Sequence, residues 1–176
     1  EGMEKGYWNL DKHVKNLQSF GQTVVIAFNK FATDTDEEIE VLRKHCEEEL
    51  GCGFAVNNAF AEGGKGAVEL ANLVVKTIDE KPSAPLYYAY DDNDTVEEKI
   101  EKISKNLYGA GSVTLSDSAK AMIEEIKKLG VEKFPVCIAK TQYSFSTDPK
   151  AMGPTDGFEL HVRDITVNMG AEMIVV

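Results

Sequence analysis

The spacing of apolar residues predicts alternating helices and strands in the first part of the chain. Apolar side chains recur at helical spacing in "NLDKHVKNLQSF", Gly21 ends that helix, and "TVVIAF" is a continuous apolar run typical of a strand buried on both faces. The segment "TDEEIEVLRKHCEEEL" opens with a capping box, Thr35 to Glu38. A short strand, "FAVNNA", and a helix from about Gly66 to Glu80 follow. This βαβα succession predicts a parallel sheet flanked by helices.

The second part of the chain predicts a smaller α+β region. Helical spacing recurs in "VEEKIEKISKNLYGA" and over roughly Ser116–Leu129, and "FPVCIAK" is a further apolar strand. After a long polar loop, "FELHVRDITV" alternates like a half-exposed strand, and "AEMIVV" is its expected antiparallel neighbour across the Asn168–Gly170 turn. We also expect "AEMIVV" to leave an unpaired apolar edge. The predicted fold class is therefore α/β, with domains 1–112 and 113–176.

Composition and net charge limit the classes of molecule that we expect the chain to bind. With 43% hydrophobic residues, the 176-residue chain can form a substantial core, and its net charge of −11 argues against nucleic acid or an anionic membrane as the main partner. No apolar run reaches the roughly 18 residues that a membrane span needs. The three cysteines suit a reducing cytoplasm better than a disulfide framework.

A glycine-rich turn, "AFAEGGKGAVEL", precedes the helix near residue 66 and raises the question of phosphate binding. A nucleotide P-loop places four residues between its first glycine and a Gly-Lys pair, followed by Ser or Thr for magnesium. Here Lys65 is followed by Gly66, so the turn does not fit ATP. Gly64 and Lys65 are candidates for contact with another anion. The alternatives are a plain helix start and a solvated lysine.

Two aromatic residues stand where ligands bind in parallel sheets, just beyond the carboxyl ends of strands. Phe31 follows "VVIAFNK", and Phe60 follows "FAVNNA". If the two strands are neighbours, the rings flank one cleft in which a flat heteroaromatic ligand can stack. The alternative is that each ring packs under its own loop.

Other clusters of polar residues indicate structure rather than chemistry. No metal is expected at residues 45–52, because Cys46 belongs to the apolar stripe of its helix and no second ligand pair has zinc-site spacing. The acidic run 91–94 is expected to be a solvated loop that caps the next helix through Asp94 or Thr95.

Four long segments together resemble formate–tetrahydrofolate ligase (10-formyltetrahydrofolate synthetase). They are "FGQTVVIAFNKFATDTDEEIEVLRKHCEE", "AFAEGGKGAVELA", "EEKIEKISKNLYGA" and "FPVCIAKTQYSFSTDP". The resemblance implies an enzyme of one-carbon metabolism that joins formate to tetrahydrofolate, using ATP and Mg²⁺, through formyl phosphate. It further implies a cytoplasmic homo-oligomer. Because the family's ATP-binding domain lies upstream, this chain would be its second and most of its third domain, and inactive alone.

The resemblance also implies a folate pocket. The family has an aromatic ring in the turn that here reads "Asn-Lys-Phe-Ala-Thr-Asp-Thr", and a Trp where this chain has Phe60. The implied folate contacts are Phe31, Phe60, Ala32, Val56 and Asn29. Lys65 would face an anion such as the folate glutamate tail or a phosphate.

The sequence leaves two points open. Lys140, Thr141 and Tyr143 end a strand in a family motif, and chemistry alone assigns them no role. The alternative function is a non-catalytic binding or assembly module that contacts partner subunits through "FELHVRDITV…MIVV".

Overall fold

The computed structural model describes residues 2–138, 145, 148, 150–151 and 155–176. The helices, in chain order, are α1 (Gly2–Ser19), α2 (Asp36–Lys44), α3 (Ala59–Glu62), α4 (Val68–Glu80), α5 (Val96–Ile103) and α6 (Asp117–Leu129). The strands are β1 (Val25–Asn29), β2 (Gly53–Asn57), β3 (Ser112–Leu115), β4 (Val136–Cys137), β5 (Glu159–Val162), β6 (Thr166–Asn168) and β7 (Met173–Val175). Three shorter turns add to these: π-helical turns at His45–Glu49 and Ser104–Tyr108, and a 3₁₀ turn at Gly63–Ala67. The predicted mixed α/β class is confirmed.

The chain divides into two compact units, a first unit of Glu1–Tyr87 and a second unit of Tyr88–Val176. Each unit has its own buried apolar cluster. The domains 1–112 and 113–176 stay a prediction.

The first unit is built on a parallel pair of strands. β1 and β2 run in register from Val25 opposite Gly53 to Asn29 opposite Asn57, as the βαβα pattern predicts. Helix α4 packs closely against β2. A Cβ atom added to Gly53 would lie only 3.0 Å from the side chain of Leu73, which belongs to α4. Glycine at this position therefore lets the helix lie against the strand.

Helix α2 begins at the predicted capping box. The Thr35 hydroxyl accepts a hydrogen bond from Glu38 N (3.2 Å), and the Glu38 carboxylate accepts one from Thr35 N (3.1 Å). The helix buries Ile39, and the π-helical turn that continues it buries Cys46. Both pack with Phe54 of β2 in the apolar cluster of this unit.

Two apolar elements of the first unit are more exposed than their sequences predict. Ala27 is exposed, so the expectation that this strand is buried on both faces is wrong for this chain. Among the described residues β2 is the one strand that pairs with β1, which leaves β1 at the edge of a two-stranded sheet. Helix α4 likewise exposes a row of large apolar side chains: Val68, Val74, Val75 and Ile78.

In its described part, the second unit contains two small sheets. Strands β3 and β5 pair in parallel, and β7 lies between β4, to which it is parallel, and β6, to which it is antiparallel. The predicted antiparallel pair is thus confirmed. The expected unpaired edge at "AEMIVV" is wrong, because β7 has a strand on both sides. "FELHVRDITV" is not one strand either: β5 and β6 join different sheets, and Ile165 between them is buried.

The acidic loop 91–94 caps α5, and the cap itself is Thr95. Its hydroxyl accepts from Glu98 N (3.2 Å), while the Glu98 carboxylate accepts from Thr95 N (2.8 Å). Asp94 instead stabilises the loop, because its carboxylate accepts a hydrogen bond from Asp91 N (2.7 Å). The loop therefore has a structural role at the helix start, as the sequence predicts.

Candidate functional site

The carboxyl ends of β1 and β2 lie side by side and open at one edge of the sheet. Asn29 and Asn57 are paired at the last position of the register, and Lys30 N donates to Asn57 O over 3.0 Å. Neighbouring strands are about 4.8 Å apart. The turns that carry Phe31 and Phe60 therefore leave the sheet next to each other, as the interpretation of a shared cleft requires.

Phe31 begins a tight turn that includes Ala32. Asp34 N donates to Phe31 O (3.1 Å), and the Asp34 carboxylate accepts from Phe31 N (2.7 Å), so the turn is closed by two hydrogen bonds between the same residues. Both Phe31 and Ala32 are exposed, Phe31 at 69%. Phe31 does not pack under its own loop.

Phe60 stands on the short helix α3, directly after β2. The residue is 100% exposed. The loop behind it is closed by Asn58 N, which donates to Gly66 O over 2.9 Å. A Cβ atom on Gly66 would overlap the carbonyl group of Asn58, so only glycine fits this approach of two backbone segments. The glycine-rich turn thus brings its backbone close to the start of α3.

One side-chain amide connects the two ring-bearing segments. Asn57 Nδ2 donates to Asn29 Oδ1 (2.8 Å), and Asn57 Oδ1 accepts from Ala59 N (3.2 Å). Asn29, a predicted folate contact, therefore has its side-chain oxygen engaged by β2. Sequence reasoning did not single out Asn57, although an asparagine two residues ahead of a turn or helix start typically accepts a hydrogen bond from the backbone N–H two positions on.

The other predicted site residues lie in three kinds of environment. Val56, opposite Phe28 in the register, is half-buried and packs against the apolar cluster of the first unit. Lys65 is exposed and forms no ion pair with any residue that the structure describes. Gly64 has open space where a side chain would stand. Lys140, Thr141 and Tyr143 lie outside the described residues.

A cavity of about 380 Å³ lies next to the turn that carries Phe31. Helix α1, the end of β1, this turn and α2 line it, through Gly6, Tyr7, Leu10, Phe28, Asp34, Glu38 and Leu42. Hydrogen bonds to Thr35, first from its backbone and then from its hydroxyl, lower the pKa of the Glu38 carboxyl. The cavity therefore combines apolar walls with an ionised carboxylate, and neither Phe31 nor Phe60 lines it.

A buried histidine ties α1 to the π-helical turn after α2, a contact that the sequence did not reveal. His45 Nε2 lies 2.7 Å from Asp11 Oδ1, its Nδ1 lies 3.2 Å from Glu49 Oε2, and its ring stacks on Tyr7 with centroids 4.1 Å apart. These partners are side chains of the surrounding helices, so His45 has a packing role.

In the described part of the chain, no group of three His, Cys, Asp or Glu side chains is arranged to hold a metal ion. None of the helices described there is both long and apolar enough to cross a membrane.

Comparison with known proteins identifies the family of this chain. The sequence model of the formate–tetrahydrofolate ligase family matches residues 1–176. The chain is 63% identical over 175 residues to the formate–tetrahydrofolate ligase of Bacteroides fragilis, covering 99% of this chain and 31% of the relative. It is 60% identical over 176 residues to that of Phocaeicola vulgatus, covering 100% of this chain and 32% of the relative.

A more distant relative gives the same result. The formate–tetrahydrofolate ligase of Campylobacter concisus is 48% identical over 174 residues, which cover 98% of this chain and 31% of the relative. The chain thus spans about a third of the length of the curated relatives it matches. The resemblance expected from the motifs is confirmed, and the chain belongs to the formate–tetrahydrofolate ligase family.

Proposed function

We propose that this chain is part of an ATP-dependent formate–tetrahydrofolate ligase, and that its first unit holds the folate between Phe31 and Phe60. The observation that carries the proposal is the pair of exposed rings on adjacent turns at one edge of a parallel sheet. Large apolar side chains exposed together are typical of binding sites. A flat pterin or aminobenzoyl ring offers the stacking surface that such a pair of rings lacks.

The neighbouring residues complete this proposed folate site. Ala32 leaves the turn beside Phe31 open, and Val56 lies one position before the end of the paired register on β2. Asn29 supports the site through its hydrogen bond with Asn57. Lys65, exposed with no ion pair to a described residue, would contact the folate glutamate tail or a phosphate, with Gly64 leaving room for it.

The glycine-rich turn of this chain does not fit ATP and Mg²⁺. Lys65 is followed by Gly66 rather than by a hydroxyl residue, and phosphoryl transfer requires a lysine, backbone N–H groups and a bound metal around the phosphates. We therefore assign ATP and Mg²⁺ to another part of the ligase, and we expect the 176-residue chain alone to form no 10-formyltetrahydrofolate. A cytoplasmic location and a homo-oligomeric enzyme belong to the same proposal.

The proposal is tested by replacing Phe60 with alanine in the full-length ligase that contains this chain. Burying a Phe side chain contributes about 1.5–3 kcal/mol, so the KM for tetrahydrofolate should rise roughly ten- to a hundredfold, with little change in the KM for ATP. Phe60→Trp, which introduces the family's usual residue, should be tolerated or should tighten folate binding. The matched control is Tyr87→Ala. Tyr87 is also an exposed aromatic residue, but it lies next to Gly21, ahead of β1, and is not one of the two proposed stacking rings.

Two outcomes would contradict the proposal. An unchanged KM for tetrahydrofolate in a stably folded Phe60→Ala variant would exclude stacking at this position. A lower melting temperature with parallel shifts in both KM values would instead make Phe60 a packing residue. The alternative of an assembly module acting through the last strands has less support, because β7 is already paired on both sides.

A further inference from the structure

Asn57 contacts the residue before each of the two aromatic rings. Its backbone oxygen accepts a hydrogen bond from the N–H of Lys30, the residue that precedes Phe31 (3.0 Å). Its side-chain oxygen accepts one from the N–H of Ala59, the residue that precedes Phe60 (3.2 Å). Its side-chain nitrogen donates to Asn29 Oδ1 on β1 (2.8 Å). Both ring-bearing segments are thus tied to this one residue.

We propose that Asn57 is a positioning residue that sets the separation of Phe31 and Phe60 for ligand stacking. This inference rests on the proposed function, since it assumes that a flat ligand binds between the rings. Asn57 does not act on the ligand directly; it acts through the backbone of Lys30 and Ala59.

The exposure of the rings is the reason that positioning matters. Phe60 is fully exposed and Phe31 mostly so, and therefore core packing does not fix either ring. Their separation is set by the backbone from which they extend. A radial gap of only about 0.5–1 Å already removes a quarter to a half of the dispersion attraction between surfaces in contact. Small displacements of either turn should accordingly weaken stacking.

The chemistry of the amide explains why asparagine suits this position. It must donate toward Asn29 and accept from Ala59 N at the same time, and an amide carries both functions on one short side chain. Alanine supplies neither hydrogen bond. Aspartate keeps the acceptor for Ala59 N, and the Asn29 amide can rotate to donate to its second oxygen.

The first test is Asn57→Ala in the full-length ligase. Losing two hydrogen bonds that contribute about 0.5–1.5 kcal/mol each should raise the KM for tetrahydrofolate roughly five- to 150-fold, with the KM for ATP nearly unchanged. The matched control is the adjacent Asn58→Ala. Among the described residues, the Asn58 side chain bonds to Glu62 Oε1 (2.8 Å) at the other end of α3 and does not reach the segment that carries Phe31, so that variant should change the KM for tetrahydrofolate by less than about twofold.

A second test uses charged substitutions to show whether the hydrogen bond between Asn57 and Asn29 carries the positioning effect. Asn57→Asp and Asn29→Asp each leave one partner able to donate, so each should raise the KM for tetrahydrofolate less than Asn57→Ala does. The double variant Asn29→Asp/Asn57→Asp places two carboxylates opposite each other, with no donor between them. Its effect should exceed the sum of the two single effects, a coupling that a purely local role of Asn57 does not produce.

The outcomes separate this inference from the proposed function. If Phe60→Ala raises the KM for tetrahydrofolate but Asn57→Ala does not, the positioning role is wrong and folate stacking stands. If Phe60→Ala has no effect, both are wrong. A fall in melting temperature with equal shifts in both KM values for Asn57→Ala would assign Asn57 to general stability and overturn the inference.

Discussion

Gly66 lies directly against the backbone of Asn58. The Asn58 N–H donates to Gly66 O over 2.9 Å, and a Cβ atom added to Gly66 would overlap the Asn58 carbonyl and approach Ala59 N to 2.9 Å. Because these neighbours are backbone atoms, they cannot move aside as a flexible side chain can. The contact fixes the loop from which Phe60 extends.

We expect Gly66→Ala to disrupt this loop. Overpacking of this kind costs about 1–3 kcal/mol of stability, and the displaced loop should also weaken binding at Phe60. Urea unfolding of the 176-residue protein measures the first effect. The control is Gly64→Ala: nothing lies within 4 Å of the added Cβ, so its stability should change by only a few tenths of a kcal/mol. Equal stability of both variants would show that the loop can move freely.

Lys99 is a second position where we expect a substitution to lower the stability of the protein. The side chain is fully buried in the second unit, and its ammonium donates to Glu132 O (2.9 Å) and Phe134 O (3.3 Å). Burial lowers its pKa, against the attraction of nearby carboxylates led by Asp92. Lys99→Met keeps the volume but leaves both carbonyl oxygens without this donor, so we expect a loss of about 1–3 kcal/mol in urea unfolding.

The matched variant for Lys99 is Lys102→Met, three residues further along α5. Lys102 pairs with Asp94 and its side chain is 44% exposed. An ion pair at this exposure contributes less than about 1 kcal/mol. If Lys102→Met destabilised the protein as much as Lys99→Met, burial of the Lys99 ammonium would not be the cause.

The three cysteines should react at very different rates. Burial raises the pKa of the Cys46 thiol from 9.0 to about 11, and burial also raises the pKa of Cys52. Cys137 is exposed. Only the thiolate attacks alkylating agents, so iodoacetamide at mildly alkaline pH should label Cys137 first. Peptide mass spectrometry over a time course measures the order, and in denaturant all three should react alike. Labelling of Cys46 as fast as Cys137 would contradict the buried position of its helix.

The capping box of α2 should lose its contribution to stability in acid. Because hydrogen bonds from Thr35 lower the pKa of Glu38, the folded state favours the carboxylate. Its contribution is therefore fully present above the unfolded value of 4.5 and disappears as the pH falls through the lower folded value. Glu38→Gln should narrow the stability difference between neutral and acidic pH, measured by urea unfolding. Glu37→Gln removes the same charge from the same turn and serves as control; an equal effect would exclude the cap as the cause.

The exposed apolar row of α4 should drive self-association of the 176-residue chain. Val74 and Ile78 line a groove of about 430 Å³ together with Val25 at the start of β1. Large exposed apolar patches favour association. Ile78→Lys should reduce it in sedimentation velocity, whereas Asn72→Lys, which adds the same charge on α4 outside the lining of this groove, should not. Equal behaviour of the two variants would show that net charge alone controls association.

The sequence by itself determined the features that depend on neighbours within a few residues. Thr35 and Glu38 stand three apart, and helix geometry alone brings such a pair together, so the cap could be predicted without knowing the fold. The order of strands and helices likewise implied that β1 and β2 are parallel. The positions of Phe31 and Phe60 beyond those strands then followed from the chain itself.

Only the tertiary structure decided which distant segments meet. Asn57 is 28 residues from Asn29, Lys99 is 33 from Glu132, and His45 is 34 from Asp11. Nothing in local spacing selects these partners, because each contact depends on how whole elements pack. The same holds for β7, whose apolar pattern gave a strand but whose place between β4 and β6 depends on the fold. Local hydrogen bonds are set by backbone geometry, whereas long-range ones form only after packing has brought the segments together.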